Sequence, residues 1–287
     1  MTLLALPFTR PPEAMLVEPI VRRALQEDLG RGGDITSNLV IPPDKTVAVK
    51  IAVRKDGAIA GLIAAACAFH LLDSTIAFHC ELPDGSAAPA RAVLATIEGP
   101  ARAILTAERV ALNFLGHLSG IATATRALVD AVKGTNAKIV DTRKTTPGLR
   151  LLEKYAVRCG AGFNHRSGLD DAVLIKDNHI AVAGSITEAI RRARAGLAHM
   201  SKIEVEVDTL SQLEEALSVG ADAILLDNMS LEDLRSAVAL ARGRALLEAS
   251  GGITLGSARG VAETGVDYIS SGAITHSAPS LDVGLDL

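Results

Sequence analysis

Between Asp141 and His179 the chain collects Arg143, Lys144, Arg150, Lys154, Arg158, His165, Arg166, Lys176 and His179. Over the whole chain 29 Lys plus Arg stand against 33 Asp plus Glu, so this concentration of positive charge is local. Lys154 and Arg158 follow an apolar rhythm and suit a helix surface. Arg143, Lys144, Arg166 and Lys176 sit instead at the ends of apolar runs or inside Gly-rich turns, where cationic donors gather to hold an anion. A second group has the opposite sign. Glu204 and Glu206 lie in IEVEV (203–207), and Asp227 closes AILLD (223–227). Such carboxylates can hold Mg2+, directly or through water, or accept hydrogen bonds from sugar hydroxyls. Two small-residue turns, Ser250-Gly251-Gly252 and Ser271-Gly272-Ala273, precede helical segments, and free N–H groups there would cradle a phosphate. Together these groups suit an anionic acid and a phosphorylated sugar with a metal.

Such residues need a frame that brings them to one place. Six short apolar runs supply it: AKIVD (137–141), AVLIK (172–176), IEVEV (203–207), AILLD (223–227), ALLEA (245–249) and DYISS (267–271). Helical segments lie between them, several opening with capping-box spacing: Ser185 with Glu188, Thr209 with Gln212, Ser230 with Asp233. Alternating βα units imply a parallel sheet, closed or nearly closed into a barrel. Arg143 and Lys144 then follow the first strand, and Lys176 ends the second. Asp227 ends the fourth, Ser250-Gly251-Gly252 follows the fifth, and Ser271-Gly272 ends the sixth. Barrel enzymes place their sites at these strand ends. Alternation in IEVEV puts Ile203, Val205 and Val207 on one face, packed on helices, and sends Glu204 and Glu206 to the interior. Glu206, nearer the mouth, is the better functional candidate; Glu204 suits a structural ion pair.

Residues 14–29 read as a helix stopped at Gly30, GRGGDITS (30–37) as turns, and TVAVKIAVR (46–54) as a half-buried strand. A helix at 62–72 and strands at 75–82 and 90–99 follow. This mixed order reads as a separate α+β domain, left through a long helix from Ala101 to Val132 that is interrupted near Gly116 and Gly120. The domain boundary is drawn between 1–116 and 117–287, with the last residues returning to the first domain. Few aromatics and a net charge of −4 argue against nucleic-acid or anionic-lipid partners. Cys67, Cys80 and Cys159 match no metal spacing and read as reduced thiols. Residues 1–14 make a poor signal peptide, and 58–72 is too short to span a bilayer. A cytoplasmic location is expected. His70, His79, His117 and His199 have no partners at ligand spacing and read as structural or surface residues.

Several stretches resemble quinolinate phosphoribosyltransferase: AERVALNFLGHLSGIAT (107–123), DTRKTTPGLRLLEKYAVRCGAGFNHR (141–166), AVLIKDNHI (172–180), IEVEVD (203–208), ILLDNM (224–229), LEASGGI (247–253) and SGAITHS (271–277). EDLGRGGDITS (27–37) extends the match into the first domain. The resemblance implies an α/β fold: an incomplete parallel β/α barrel of the type II phosphoribosyltransferases with an N-terminal α+β sandwich domain. It implies that quinolinate and 5-phosphoribosyl-1-pyrophosphate, with Mg2+, give nicotinate mononucleotide, pyrophosphate and CO2 in NAD biosynthesis. Lys144, Lys176, Glu206 and Asp227 would be catalytic, with Glu206 and Asp227 serving the metal. Arg143, Lys144, His165, Arg166 and Lys176 would hold the carboxylates of quinolinate, and Ser250, Gly251, Gly272 and Ala273 the phosphate, with Thr142 and Ser271 also binding substrate. Arg109 would reach a neighbouring subunit's site, making a homodimer or higher even oligomer with shared active sites.

The resemblance has departures. Ala161 stands where a glycine is expected, and Ser167 and Asp170 where bulkier residues are usual; all three touch the loop beside Arg166 and bear on substrate preference. Two rivals stand beside this reading. One is a phosphoribosyltransferase-like protein found with molybdate transport; the other is a non-catalytic barrel that senses a nucleotide or carboxylate. The intact acidic and basic sets speak against the second.

Overall fold

In this computed structural model, residues 10–286 are described. In chain order the elements are α1 (Ala14–Leu29), α2 (Ile35–Val40), β1 (Thr46–Val53), β2 (Gly57–Ala58), α3 (Leu62–Leu72), β3 (Ala77–Cys80), β4 (Ala87–Ala88), β5 (Val93–Pro100) and α4 (Ala101–Ala131). Then come β6 (Lys138–Val140), α5 (Arg150–Cys159), β7 (Val173–Ile175), α6 (Asp177–Ala183), α7 (Ile186–Gly196), β8 (Ile203–Val207) and α8 (Leu210–Ser218). The last are β9 (Ala223–Asp227), α9 (Leu231–Ala241), β10 (Leu246–Ser250), α10 (Leu255–Ala262), β11 (Tyr268–Ser270), α11 (Ala273–His276) and β12 (Val283–Asp286). Of the 1–14 stretch read as a poor signal peptide, residues 1–9 lie outside the described residues. Among the described residues no helix is long and apolar enough to cross a membrane.

Two compact units result. Where the sequence suggests a cut near residue 116 with the last residues returning, the first unit takes residues up to Arg126, the stretch Thr145–Ala161, and residues from Ile274 onward. Its antiparallel sheet has the order β12-β1-β5-β3. Val17, Val21 and Leu25 of α1 and Ala64, Ala65, Ala68 and Phe69 of α3 are buried. Each large apolar side chain so buried contributes about 1.5–3 kcal/mol.

Two local expectations for this unit are corrected. GRGGDITS is not turn throughout, because α2 begins at Ile35: the Asp34 carboxylate accepts the Ser37 N–H at 2.9 Å and so caps the helix. The Thr106 hydroxyl donates to the same carboxylate. Nor is the long helix interrupted; α4 runs unbroken through Gly116 and Gly120. Those glycines serve a close approach. A Cβ at Gly120 would overlap the Pro279 carbonyl oxygen, one at Gly116 would stand 2.9 Å from the Leu281 carbonyl oxygen, and Leu281 N–H donates to Gly116 O at 2.9 Å. Helix glycines that look like breaks in sequence are therefore the track along which the C-terminal segment lies.

The second unit holds Ala127–Lys144 and Gly162–Ala273. Its six strands pair in parallel in the order β6-β11-β10-β9-β8-β7. β6 and β7 are the edges, so the sheet is open, as an incomplete barrel requires. All six runs read from the sequence are strands, with no end displaced by more than one residue. Ile203, Val205 and Val207 are at most 1% exposed, as their alternation demands. The capping spacings hold: Ser185, Thr209 and Ser230 accept the N–H groups of Glu188, Gln212 and Asp233.

Candidate active site

The register of the second unit fixes which side chains share a face. Glu206 is paired with Leu225, and Leu225 with Glu248; one step further along, Asp227 is paired with Ser250. With a side-chain period of two, Glu204, Glu206, Asp227, Glu248 and Ser250 all belong to one face of the sheet. Asp227 and Ser250 lie nearest its C-terminal edge, Glu206 and Glu248 share the layer below, and Glu204 lies one layer deeper again.

Glu206 and Asp227 each have a partner. Lys176, the N-cap residue of α6 immediately after β7, sends its ammonium to Glu206. The Asn228 amide donates to Asp227 Oδ2 at 2.7 Å. Asp227 is not a helix cap, since α9 takes Ser230 for that purpose. Two carboxylates on adjacent strands are a hard-oxygen donor set that suits Mg2+.

The loop after α5 is strapped to the deeper layers. Asp141, fully buried at the end of β6, accepts from Asn164 Nδ2 at 2.6 Å and from the His165 N–H at 2.9 Å. His165 Nε2 then stands 2.8 Å from Glu204 and 3.6 Å from Glu248, while its Nδ1 accepts the Arg166 N–H at 2.7 Å. Nδ1 acting as acceptor leaves the proton on Nε2, pointing at Glu204. Glu204 thus accepts a hydrogen bond from the neutral His165 ring in place of the structural ion pair expected for it. Burial, then the charge of Glu204, pushes the Glu248 carboxyl up to about 7, with His165 acting in the opposite direction.

The cations gather beside this strap. Arg166 lies close enough to Arg143 that burial, then that neighbour's charge, lowers its affinity for its proton, while Asp171 and Glu204 offset part of the effect. Asp171 also accepts the N–H groups of Ser167 and Gly168, at 2.6 and 3.1 Å, and so shapes the turn after Arg166. Thr142 Oγ1 accepts the Lys144 N–H at 3.0 Å, bending the chain after β6 and leaving Lys144 exposed. Ala161, the departure from the expected glycine, has φ +68°, the left-handed backbone that favours glycine.

The two small-residue turns differ. Gly251 and Gly252 have φ of +95° and +59°, an irregular turn between β10 and the Thr254-capped α10. At the second turn the expectation of free N–H groups is corrected at Ser271, whose N–H donates to the Val140 carbonyl at 3.1 Å and extends the β6–β11 ladder. Gly272 and Ala273 follow it into α11.

Arg109 belongs to the first unit, exposed on α4. With Arg23, Asp28, Phe114, His117 and Pro147 it lines a cavity of about 810 Å3. His117 is structural, one of the two readings given for it: its Nε2 meets the fully buried Glu153 at 2.8 Å, and Glu153 also accepts the Thr146 N–H at 3.1 Å.

Glu248, Asn228 and Glu153 were not found from the sequence. Glu248 was within reach, because the alternation that turns Glu206 inward also turns the residue two before Ser250 inward. Asn directly after a strand-ending Asp is a weaker signal, that of a left-handed turn. Glu153 gave none, lying on a helix whose charged residues looked like surface.

The chain is similar to known proteins along most of its length. Residues 34–119 match the description "Quinolinate phosphoribosyl transferase, N-terminal domain", and residues 121–286 match the corresponding C-terminal domain. The chain is 46% identical over 261 residues to a probable nicotinate-nucleotide pyrophosphorylase [carboxylating] of Bacillus subtilis, covering 91% of this chain and 90% of that one. It is 47% identical over 272 residues to the nicotinate-nucleotide pyrophosphorylase [carboxylating] of Mycobacterium leprae, covering 93% and 95%. The solved structure of the nicotinate-nucleotide pyrophosphorylase from Francisella tularensis superimposes with a TM-score of 0.92 at 43% identity, covering 97% of this chain and 98% of that one.

Proposed function

We propose, from the premise that this chain belongs to the quinolinate phosphoribosyltransferase family, how its own residues carry out that family's reaction. The reaction joins quinolinate to 5-phosphoribosyl-1-pyrophosphate and yields nicotinate mononucleotide, pyrophosphate and CO2 for NAD biosynthesis.

Arg143, Lys144, Arg166 and Lys176, with Thr142 and His165 shaping their backbone and loop, hold the two carboxylates of quinolinate. The observation that carries this reading is the meeting of cations and carboxylates in one unit, with Lys176 directly on Glu206. A dianion gives up its hydration only to several fixed cations. Arg143 and Arg166, held together against their mutual repulsion, are ready for such a ligand. Ser250 and Gly251, with Gly272 and Ala273, receive phosphate, and Ser271 sets the position of its turn. Glu206 and Asp227 face the ribose and would hold Mg2+, which when bound offsets the charge of the pyrophosphate group.

The ring nitrogen forms its bond to the anomeric carbon as pyrophosphate leaves with the electrons of the old C–O bond. The sugar becomes oxocarbenium-like on the way, and fixed carboxylates favour that charge. The cationic ring then accepts the electrons of the breaking C–CO2 bond, and a proton replaces CO2. No side chain acts as a covalent nucleophile. Arg109 completes the site of a second copy, so the working form is a homodimer or a higher even oligomer. A cytoplasmic location is in keeping with a soluble biosynthetic role.

The test is release of pyrophosphate and CO2 in equal amounts by purified protein, dependent on quinolinate. No release with quinolinate would overturn the assignment and favour the molybdate-associated relatives.

A further inference from the structure

We infer that Asn228 is a positioning residue for 5-phosphoribosyl-1-pyrophosphate, tying the carboxylate of Asp227 to the Gly251 turn so that both halves of the sugar-phosphate site keep one geometry. This rests on the reading that Asp227 and Gly251 serve that substrate.

Asn228 has φ +54°, a backbone region that costs most L residues about 1–2 kcal/mol and that Asn tolerates best after Gly. The turn places three groups at once. The Asn228 N–H donates to the Ser250 carbonyl at 2.9 Å, carrying the β9–β10 ladder one residue past its last strand pair. The side-chain Nδ2 donates to Asp227 Oδ2 at 2.7 Å. A carboxylate can only accept, so it fixes which end of the amide faces it and directs Oδ1 the other way. Oδ1 lies over Gly251, where an added Cβ would overlap it and stand 3.0 Å from the Asn228 nitrogen. The missing side chain at Gly251 and the folded-back amide of Asn228 are thus complementary.

Helix capping does not account for this residue. Ser230 caps α9 through Asp233, and Asn228 lies outside that arrangement. Its amide has one polar role among the described contacts, which is to hold Asp227. A charge-assisted bond of this kind sets the rotamer of the carboxylate as well as its position.

Two variants separate the amide from the backbone turn. Asn228→Gly keeps the left-handed backbone and removes the amide. Asn228→Asp keeps size and shape and removes the donor. For each, kcat, the KM of both substrates, the thermal midpoint and the calorimetric Kd for 5-phosphoribosyl-1-pyrophosphate are measured beside wild type and Asp227→Asn. Both variants are expected to raise the KM and Kd for 5-phosphoribosyl-1-pyrophosphate by about 10- to 100-fold, the usual effect of losing a group that orients a ligand, while the quinolinate KM moves by no more than about 2-fold. Wild-type binding by either variant, with binding lost in Asp227→Asn, would overturn the role of Asn228 and leave that of Asp227 standing. Wild-type binding by Asp227→Asn as well would overturn the underlying reading. Equal losses for both substrates with a lowered thermal midpoint would make Asn228 structural and sink the inference.

Discussion

The ammonium of Lys176 closes on the carboxylate of Glu206, joining the end of β7 to the adjacent strand β8. A cation assigned to quinolinate therefore neutralises a carboxylate assigned to the ribose, and the ligands must divide this pair between them as they bind.

Lys176→Met should lower kcat/KM by at least about 100-fold, an effect of about 2.7 kcal/mol on the transition state. It should also lower the thermal midpoint, because Glu206, whose side chain is 14% exposed, loses its counter-charge. Adding Glu206→Gln should restore the midpoint and leave activity absent. A double variant that recovered activity would show the pair to be architecture alone. Steady-state kinetics and calorimetry on the three proteins give the answer.

Glu248 makes stability depend on pH. Its folded-state pKa is raised to about 7, above that of a carboxyl in the unfolded chain. The native state keeps this proton where the unfolded chain has lost it, so the stabilisation is complete below the ordinary carboxylate range. It is lost as pH rises toward about 7 and changes no further above that. The facing titratable groups are Glu204, His165 and Asp141. Glu248→Gln should flatten the curve of unfolding free energy between pH 5 and 7, a slope of at most about 1.4 kcal/mol per pH unit. An unchanged slope in denaturant titrations would refute the assignment.

Gly120→Ala sets two effects against each other. Alanine in a helix interior gains about 1 kcal/mol over glycine. The added methyl overlaps the Pro279 carbonyl oxygen, a backbone atom that moves only with its segment, and such overpacking costs about 1–3 kcal/mol. The steric effect should win, lowering the thermal midpoint, whereas the same change at an open helix glycine raises it.

Sharing of sites between copies can be tested by mixing. Arg109→Ala and Lys144→Ala should each be inactive as homodimers. After dissociation and reassociation, half the dimers are hybrids with one intact site each, so activity should return to about a quarter of wild type if Arg109 acts on the partner's site. Failure to recover would place Arg109 in its own chain's chemistry.

Much of this was legible in the sequence because periodicity reports faces. The two-residue alternation of IEVEV placed Glu204 and Glu206 on the face opposite Ile203, Val205 and Val207, and six apolar runs predicted six parallel strands. What escaped depends on contacts between distant residues. Gly116 and Gly120 signal a break locally, and only Pro279 and Leu281 reveal that they make room. His117 looks unpartnered until Glu153 is brought to it, and Ser271 N–H looks free until β6 lies alongside. Asp34 is a different case: Asp-x-x-Ser is a cap written in the chain, hidden by the glycines before it.

The pairing of β12 with β1 sets an order on the birth of the molecule. A ribosome delivers Thr46–Val53 early, yet the strand that covers one edge of β1 is polymerised only after all of Ala127–Lys144 and Gly162–Ala273. The later-coded unit can close on itself while the earlier one still waits, its open edge in need of protection from neighbouring nascent chains.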